Sequence, residues 1–300
     1  MLCESFMWGA ASACTKGGGA CRSPTPKASD RVKIILVEWA AYPLYRNKWV
    51  DGRVVRCGLG RLLDALSRHD PGVDIELMIV INGIEAPALS DASGGPLLAP
   101  LRRLAERQRR RRAARRLETY ARLPQRHPLI SAIHFRSNRG HDWGAYDFGY
   151  QLLREQTWKG DVLFMNSSVA GPHEHGWLLK YRGQFRRHAN VGLCGISLNS
   201  HDTSTEKGPF APHVQSYFLY TNMRVLSHAL GARLLDTDPR DDLEVIRQGE
   251  IGVSERVLDA GYSITSPAFP DFAYRRGDPW AIPWGDLRYC RRLGLPINTI

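Results

Sequence analysis

Apolar runs of strand length recur along this chain, and between them lie segments whose apolar residues have helical spacing. The pattern begins with RVKIILVEW (31–39), GLGRLLDALSRH (58–69) and VDIELMIVING (73–83). Runs that are apolar at nearly every position are typical of parallel strands buried on both faces of a sheet. The sequence therefore predicts an α/β fold that opens with a β-α-β unit and right-handed crossovers.

The same alternation continues to residue 200 and weakens after it. Further strands are predicted at 129–138, 161–168, 190–199 and 213–222, and further helices at 145–156, 174–188, 224–230 and 250–261. Several of these strands end on Asn or Ser, at the edge where open α/β sheets bind ligands. We therefore predict one continuous domain, with a mixed, mainly parallel sheet flanked by helices and a crevice along that edge.

Length and composition suit one large domain or two small ones, since the chain has 300 residues of which 43% are hydrophobic. Residues 1–30 lack the basic start and the long apolar stretch of a signal peptide, so we predict a disordered leader there. The domain is assigned to 31–270, and the Trp- and Pro-rich residues 271–300 are expected to pack as a tail on or near it. No apolar run approaches the roughly 20 residues that a membrane span needs.

The charge of the chain is strongly positive, at +11, and much of it lies in LRRLAERQRRRRAARRLE (101–118). This segment is interpreted either as a solvated surface helix or as a helix that lies on anionic lipid headgroups. Nucleic acid is not an expected partner, because the sequence lacks zinc-finger spacing, an aromatic RNP pattern and a KH loop. The six cysteines are scattered, which favours a reducing compartment. A cytoplasmic protein, peripheral at the inner face of the membrane, fits these features.

One segment with candidate binding residues is NRGHDWGAYDFG (138–149), which follows a predicted strand and opens a helix. Glycines such as Gly140 let the backbone approach a ligand closely. Asp142 lies where a carboxylate can cap the helix or accept ribose hydroxyls. A plain capped turn has the same pattern, and the dinucleotide fingerprint G-x-G-x-x-G is absent.

A second segment is MNSSVAGPHEHGW (165–177), in which Asn166, Ser167 and Ser168 follow a buried strand. Short donors and acceptors at a strand end suit hydroxyl or phosphate recognition, although they also form ordinary turns. His173 and His175 with Glu174 between them lack a third clear ligand, so a surface loop is favoured over a metal site. A hydrolase is not favoured either, because there is no G-x-S-x-G elbow to mark a nucleophile.

Two later segments carry the remaining candidates. PHVQSYFLYTN (212–222) places His213, Gln215 and Ser216 ahead of an aromatic strand. The aromatic side chains suit the core better than an acceptor wall, although aromatic faces do stack on sugar rings. GEIGVSERVLDAGY (249–262) begins a helix with Glu250, where a carboxylate is favoured by the helix dipole and a general base is also found.

Taken together and in order, these segments closely resemble a broad family of glycosyltransferase-like proteins, which is similar to the rhamnan-synthesis F group of polysaccharide glycosyltransferases. The matching segments are NRGHDWGAY, VLFMNSSVAGP with Trp177 after it, VGLCGISLN, HVQSYFLYT and EIGVSERVLDAGY. The resemblance covers residues 31–265 and is densest between 138 and 262. Several motifs in one order are more specific than any single motif.

The resemblance implies a GT-A-like domain with a Rossmann-type nucleotide-binding half and an acceptor-binding half. It implies that Asn138, Gly140 and Asp142 face a nucleotide-sugar donor, and that Glu250 lies near the general base of inverting members. The residues expected to contact the acceptor are His213, Gln215 and Ser216.

The chain departs from the GT-A pattern at 166–168, where Asp-x-Asp would hold a divalent cation on the donor. Asn-Ser-Ser lacks those carboxylates, so Mg²⁺ or Mn²⁺ as a cofactor is not supported by the motif. The charge on the leaving diphosphate must then be met by other groups, for which Arg139, His141 and His201 are candidates.

We therefore expect a glycosyltransferase that moves a sugar from a nucleotide-sugar donor to a polysaccharide or glycoconjugate acceptor, without a required metal. The acceptor is a glycan or a lipid-linked molecule. The alternative is a carbohydrate- or nucleotide-binding protein that has the same fold without the chemistry.

Overall fold

The computed structural model describes residues 31–50, 52–84, 115–202, 209–237, 239, 241–283 and 295–299. The predicted leader (1–30) and residues 101–114 of the arginine-rich segment lie outside the described residues. Residues 115–118 of that segment are helical.

Fourteen strands are found in the described ranges. In chain order they are β1 (Val32–Trp39), β2 (Arg46–Val50), β3 (Arg53–Cys57), β4 (Ile75–Asn82), β5 (Ile130–Arg136), β6 (Asp161–Asn166), β7 (Val169–Ala170), β8 (Val191–Gly195), β9 (Leu198–His201), β10 (Phe210–Val214), β11 (Phe218–Asn222), β12 (Ser263–Thr265), β13 (Ala273–Tyr274) and β14 (Asn298–Thr299).

Helices alternate with these strands. They are α1 (Leu59–Arg68), α2 (115–121), α3 (Leu123–Arg126), α4 (His141–Glu155), α5 (Trp177–Arg187), α6 (Met223–Leu230), α7 (Asp242–Val245), a π-helix (Ile246–Ile251) and α8 (Gly252–Asp259). α4 packs on β1 and β4, α5 on β8 and β11, and α8 on β8 and β12.

Eight strands form the main sheet, in the order β13-β12-β8-β11-β6-β1-β4-β5. The neighbours β5, β4, β1 and β6 are parallel, and β11 runs antiparallel between β6 and β8. From β1 the chain moves through β4 to β5, and it then returns to β6 on the other side of β1. Strand order therefore reverses between β1 and β6, which is where open α/β sheets place their ligand crevice.

The core lies on both faces of these central strands. Residues 34–37 of β1 and 79–81 of β4 have no exposed surface, as expected for parallel strands that helices cover on both sides. The structure thus confirms the α/β prediction, with a large, mixed and mostly parallel sheet flanked by helices. Among the described residues, no helix has the length and apolarity needed to cross a bilayer.

Two strand predictions were wrong in their extent. The predicted strand 190–199 is divided into β8 and β9, and the predicted strand 213–222 is divided into β10 and β11. β8 and β11 belong to the main sheet, whereas β9 and β10 pair with each other in a separate ladder. The apolar pattern is the same in both sheets because most residues of all four segments are buried, so periodicity did not reveal the divisions.

The described part of the tail contributes two short strands. β13 pairs with β12 at the edge of the main sheet, and β14 pairs with β7. Leu295 and Ile297 are buried beside them. The domain limits at residues 30 and 270 stay predictions.

A glycine controls how closely α4 approaches the π-helix. A Cβ on Gly249 would overlap the indole of Trp143, which is 2% exposed in the first turn of α4. Because Gly249 has no Cβ, the π-helix and α4 can touch at Trp143.

Gly249→Ala is expected to lower the free energy of unfolding by about 1–3 kcal/mol, because the new methyl group displaces Trp143. Gly183 of α5 is a matched control, since a Cβ there meets no atom within 4 Å. Gly183→Ala should raise stability by roughly 0.5–1 kcal/mol, the usual gain for a helix interior. Urea unfolding measures both variants, and a Gly249→Ala protein as stable as the wild type would contradict the close contact.

Candidate functional site

A pocket of about 310 Å³ opens where β1, β4 and β6 end. Five of the six predicted donor-site residues line it, although they come from two separate parts of the chain. They are Asn138, Asp142, Asn166, Ser167 and Ser168. The pocket therefore lies at the reversal of strand order between β1 and β6, and it gathers the residues that the sequence analysis had singled out.

The sixth residue, Gly140, shapes the turn that leads into α4. It has a φ of 68° as the N-cap of that helix, and His141 after it has a φ of 48°. Both values lie in the left-handed region, where glycine is favoured and a histidine must be held. The holding group is Asn82 at the end of β4, whose Nδ2 donates to the carbonyl of His141 over 2.8 Å.

The end of β5 supports the same turn. Arg136 donates from Nη1 to Asn82 Oδ1 and from Nη2 to the carbonyl of Arg139, each over 2.8 Å. Asn138 Nδ2 lies 3.4 Å from His141 Nδ1. Two neighbouring strand ends thus fix the loop that brings Asn138 and His141 to the pocket wall.

Asp142 does not cap the helix, which corrects the expectation for this carboxylate. It is the second residue of α4, and Gly140 caps the helix without a side-chain hydrogen bond. Asp142 Oδ2 instead accepts a hydrogen bond of 2.6 Å from Asn166 Nδ2. Asn166 Oδ1 accepts from the Ser168 amide over 2.9 Å, which fixes the orientation of the Asn166 side chain.

Burial raises the pKa of Asp142, while the hydrogen bond from Asn166 and the charge of His141 oppose that rise. The charge of Glu250 adds to the rise. These opposing effects leave the carboxyl group easier to protonate than an exposed aspartate.

A second carboxylate in the pocket, Glu38, was missed by the sequence analysis. It is 2% exposed near the end of β1. Its Oε1 accepts from the Trp39 amide and from Ser167 Oγ, each over 2.8 Å, and its Oε2 accepts from the Leu59 amide over 3.2 Å. The Leu59 amide begins α1, an end of a helix that favours negative charge.

Arg46 of the β2–β3 hairpin completes this group. Its Nη1 lies 3.6 Å from Glu38 Oε1, and its Nη2 donates to Ser167 Oγ over 3.0 Å. The guanidinium also lies over the ring of Tyr42, 3.9 Å from its centroid. Burial raises the pKa of Glu38, and the hydrogen bond from Ser167 and the charge of Arg46 counteract this.

The predicted base, Glu250, lies within a continuous helical segment and not at the start of a helix. The segment begins at Asp242, capped by Asp241, and Glu250 is in its π-helical turn. The dipole explanation for this carboxylate is therefore wrong, since the free amides are two turns away. Single π-turns inside helices are frequent at functional sites.

Glu250 holds the turn between β10 and β11. Its Oε1 accepts from the Ser216 amide over 3.2 Å and from Ser216 Oγ over 2.5 Å. Tyr146 of α4 donates to the carbonyl of the same serine over 2.8 Å. Burial raises the pKa of Tyr146, and the charges of Asp142 and Glu250 raise it further. Both carboxylates thus lie near one tyrosine, so the pocket and the Ser216 turn adjoin.

His213 and Gln215 are held by the protein itself. His213 has no exposed surface, its Nδ1 donates to the carbonyl of Ala211 over 2.7 Å, and its Nε2 lies 4.0 Å from Glu250 Oε2. Burial lowers the pKa of this imidazole. Gln215 Oε1 accepts from Tyr217 and from Ser197. The aromatic residues at 217, 218 and 220 are buried, as the core interpretation predicts.

The three cationic candidates differ in their positions. His141 lines the pocket, with its Nε2 2.9 Å from Asp242 Oδ1. Arg139 is exposed in the loop before α4 and does not line the pocket. His201 is on β9, where it contacts Ser200, and it does not line the pocket either. Within the described ranges, no three His, Cys, Asp or Glu side chains are arranged to hold a metal ion.

The missed residues did leave signals in the sequence. Glu38 is the one carboxylate in the otherwise apolar run IILVEW, and burial of a charge there requires donors from elsewhere in the fold. Asn82 ends its strand in the same way as Asn166 does, which is a signal of the same kind.

Comparisons of this chain with models of known protein families and with curated proteins find no match. The assignment of a function therefore depends on the geometry of the pocket and on the resemblance of the sequence motifs.

Asp142 should make stability depend on pH. Its pKa is raised in the native state, so between its usual value of 3.8 and the native value the folded protein binds more protons than the unfolded chain. Stability relative to an Asp142→Asn variant is therefore expected to fall as the pH rises through this window. Urea unfolding at a series of pH values measures the difference.

The matched control for this experiment is Asp271→Asn, because the Asp271 side chain is 86% exposed. Its stability difference from the wild type should vary much less over the same pH range. Parallel pH profiles for the wild type and Asp142→Asn would contradict the burial of Asp142.

Proposed function

We propose that this chain is a GT-A-like glycosyltransferase, which moves a sugar from a nucleotide-sugar donor to a polysaccharide or glycoconjugate acceptor. The observation that supports it best is the pocket at the reversal of strand order, lined by residues from the 138–142 and 166–168 segments. Open α/β sheets bind nucleotides at such a position.

The pocket offers suitable contacts for a donor. Asp142 would accept hydroxyl hydrogen bonds from a ribose or a sugar, and Ser168, which is exposed, would donate to a phosphate or hydroxyl. Trp39 and Tyr42 add aromatic surface to the wall, each 42% exposed, with ring centroids 4.9 Å apart. A nucleobase or a sugar ring stacks well on such surfaces.

The leaving diphosphate would be stabilised without carboxylate-bound metal. By the resemblance, Asn166, Ser167 and Ser168 fall where Asp-x-Asp would be, and Asn166 and Ser167 donate to the Asp142 and Glu38 carboxylates. The first turn of α4 begins at the pocket, and Gly140 provides no side-chain cap for it. Helix N-termini bind phosphate groups, and His141 at the same end would add positive charge when protonated.

Glu250 is the proposed general base. The acceptor oxygen would attack the anomeric carbon, the bond to the diphosphate would break, and the acceptor proton would pass to Glu250. The half-buried Gln215 and Ser216 remain the proposed acceptor contacts. His213 is completely buried, so we revise its role: it lies behind Glu250 and supports that side chain.

A non-catalytic carbohydrate- or nucleotide-binding protein is the second candidate. The observation in its favour is that Asn166 and Ser167 already donate to carboxylates of this chain. Those donors are engaged, so fewer groups are available for a departing diphosphate. Carboxylates and amides at such a pocket also suit sugar hydroxyls.

Donor binding is tested by thermal unfolding with UDP-, GDP-, CMP- and dTDP-sugars, each with Mn²⁺ or with EDTA. A ligand that binds only the folded state adds about 2.7 kcal/mol to the free energy of unfolding at a hundredfold excess over Kd. The melting temperature rises as a result. We expect one nucleotide class to give a shift that survives EDTA and is lost in Asp142→Ala. A shift that requires Mn²⁺ contradicts the metal-independent site, and no shift contradicts donor binding in the absence of acceptor.

The base is tested by Glu250→Gln in a sugar-transfer assay with the donor identified above. Turnover is expected to fall by roughly 10²–10⁴-fold, the usual contribution of a general base, while the donor still shifts the melting temperature. Glu255→Gln in α8 is the matched control and should retain turnover. Unchanged turnover in Glu250→Gln would remove Glu250 as the base, and donor binding without turnover in the wild type would favour the binding protein.

A further inference from the structure

Exposed aromatic side chains are concentrated in one short stretch of this chain. Among the described residues, the exposed Trp and Tyr side chains are Trp39, Tyr42, Tyr45 and Trp49, with exposed fractions of 42%, 42%, 52% and 70%. Large aromatic groups are rarely left in water at such density unless the surface binds something. This stretch runs from the wall of the pocket into the β2–β3 hairpin.

The hairpin has one outward face that is largely apolar. β2 and β3 pair only with each other, and in their antiparallel register Trp49 lies opposite Val54 and Asn47 opposite Arg56. Directly opposed residues share a face of a sheet. The side chain of Val54 is 57% exposed, and that of Trp49 is 70% exposed. Tyr45, just before β2, is on the same face as Trp49 because residues two apart in a strand share a face. We name this surface, formed by residues 45, 47, 49, 54 and 56, the hairpin face.

The opposite side of the hairpin is anchored to the protein. Arg46 turns inward to Glu38 and Ser167, and Cys57, opposite it in the register, is 3% exposed. The base of the hairpin is therefore fixed on its pocket side, and on the hairpin face the apolar side chains most exposed are those of Trp49 and Val54.

Arginines surround the aromatic groups. Arg56 is exposed on the hairpin face itself, and the Arg61 guanidinium lies 5.4 Å from the centroid of the Tyr45 ring. Arg122 and Arg126 line the adjoining depression with Leu44.

Two carboxylates on the same side are already engaged. Asp64 accepts from the Tyr45 hydroxyl over 3.5 Å, and Glu118 forms an ion pair with Arg122. Four arginines against two carboxylates leave this side of the molecule net positive.

We propose that the hairpin face docks on the surface of a bilayer that contains anionic lipids. Trp and Tyr side chains have an apolar body and a polar edge, and they favour the headgroup level of membranes. Arginines beside them pair with lipid phosphates and are attracted by the negative surface potential. Trp49 and Val54 enter the boundary between headgroups and acyl chains, while the guanidinium groups remain at the phosphate level.

The arginine-rich segment is described from residue 115 onward. Its described end, α2, packs beside the start of the aromatic stretch: Arg116 Nη1 donates to the carbonyl of Ala40 over 3.0 Å, and Tyr120 donates to that of Tyr42 over 3.2 Å. In the sequence, seven arginines at 102–112 precede this end of α2. The proposal depends on the hairpin face and not on the structure of that run.

The test is co-flotation of the full chain with phosphatidylcholine vesicles, with or without phosphatidylglycerol. The wild type is expected to float with the anionic vesicles, and high salt should weaken this binding. Trp49→Ser combined with Val54→Ser should reduce the partition coefficient by about tenfold or more, since two apolar contacts are lost. Leu243→Ser is the matched control, because Leu243 is 46% exposed on α7, and it should float as the wild type does.

Contact by Trp49 itself is read from tryptophan fluorescence with brominated phosphatidylcholine in the anionic vesicles. The wild type should be quenched, whereas Trp49→Phe should float but show much less quenching. Both hairpin variants are first shown to melt at the wild-type temperature.

Three results would overturn the proposal: no flotation of the wild type, equal flotation of the double variant, or self-association of the wild type without lipid that the double variant lacks. The last result would assign the face to a second copy of the chain. None of these measurements needs turnover, so they are independent of the proposed function.

Discussion

A buried carboxylate at the end of the central strand connects most of the elements around the pocket. Glu38 receives hydrogen bonds from the start of α1 and from the residue after β6, and it pairs with Arg46 of the hairpin. An unpaired charge at 2% exposure would cost several kcal/mol, so each of these elements must be in place for the carboxylate to be tolerated. The position of the hairpin and the shape of the pocket thus depend on one side chain.

The sheet could be predicted from the sequence because its central strands are buried on both faces. Such burial requires apolar residues at nearly every position, as in β1 and β4, and few other structures produce that pattern. The limits of β8 and β11 could not be predicted in the same way. The chain leaves the main sheet after Gly195, but the residues that follow are still buried. An apolar pattern reports burial and does not report which strand a residue pairs with.

The candidate site was predicted where its polar residues follow strands, as Asn166 and Ser167 do. Glu38 was missed because its partners, Leu59, Ser167 and Arg46, come from three distant parts of the chain. The hairpin was missed because its apolar residues face outward, although the Asp-Gly pair at 51–52 is a turn signal. The sequence predicts a helix that begins at Glu250, but the helical segment around it begins eight residues earlier than its apolar spacing indicates.

The reversed direction of β11 has a consequence for how this fold can change. Because β11 runs against β6, its first residue, Phe218, lies beside Met165 near the end of β6. The turn that precedes β11 therefore reaches the same edge of the sheet as the loops that follow the parallel strands. Ser216 is in this turn, where it donates to Glu250. Because the residues between Val214 and Phe218 belong to no strand, their substitution leaves every hydrogen-bonded strand pair in place. Such substitutions would instead alter how Glu250 is held, since Ser216 is its hydrogen-bond partner.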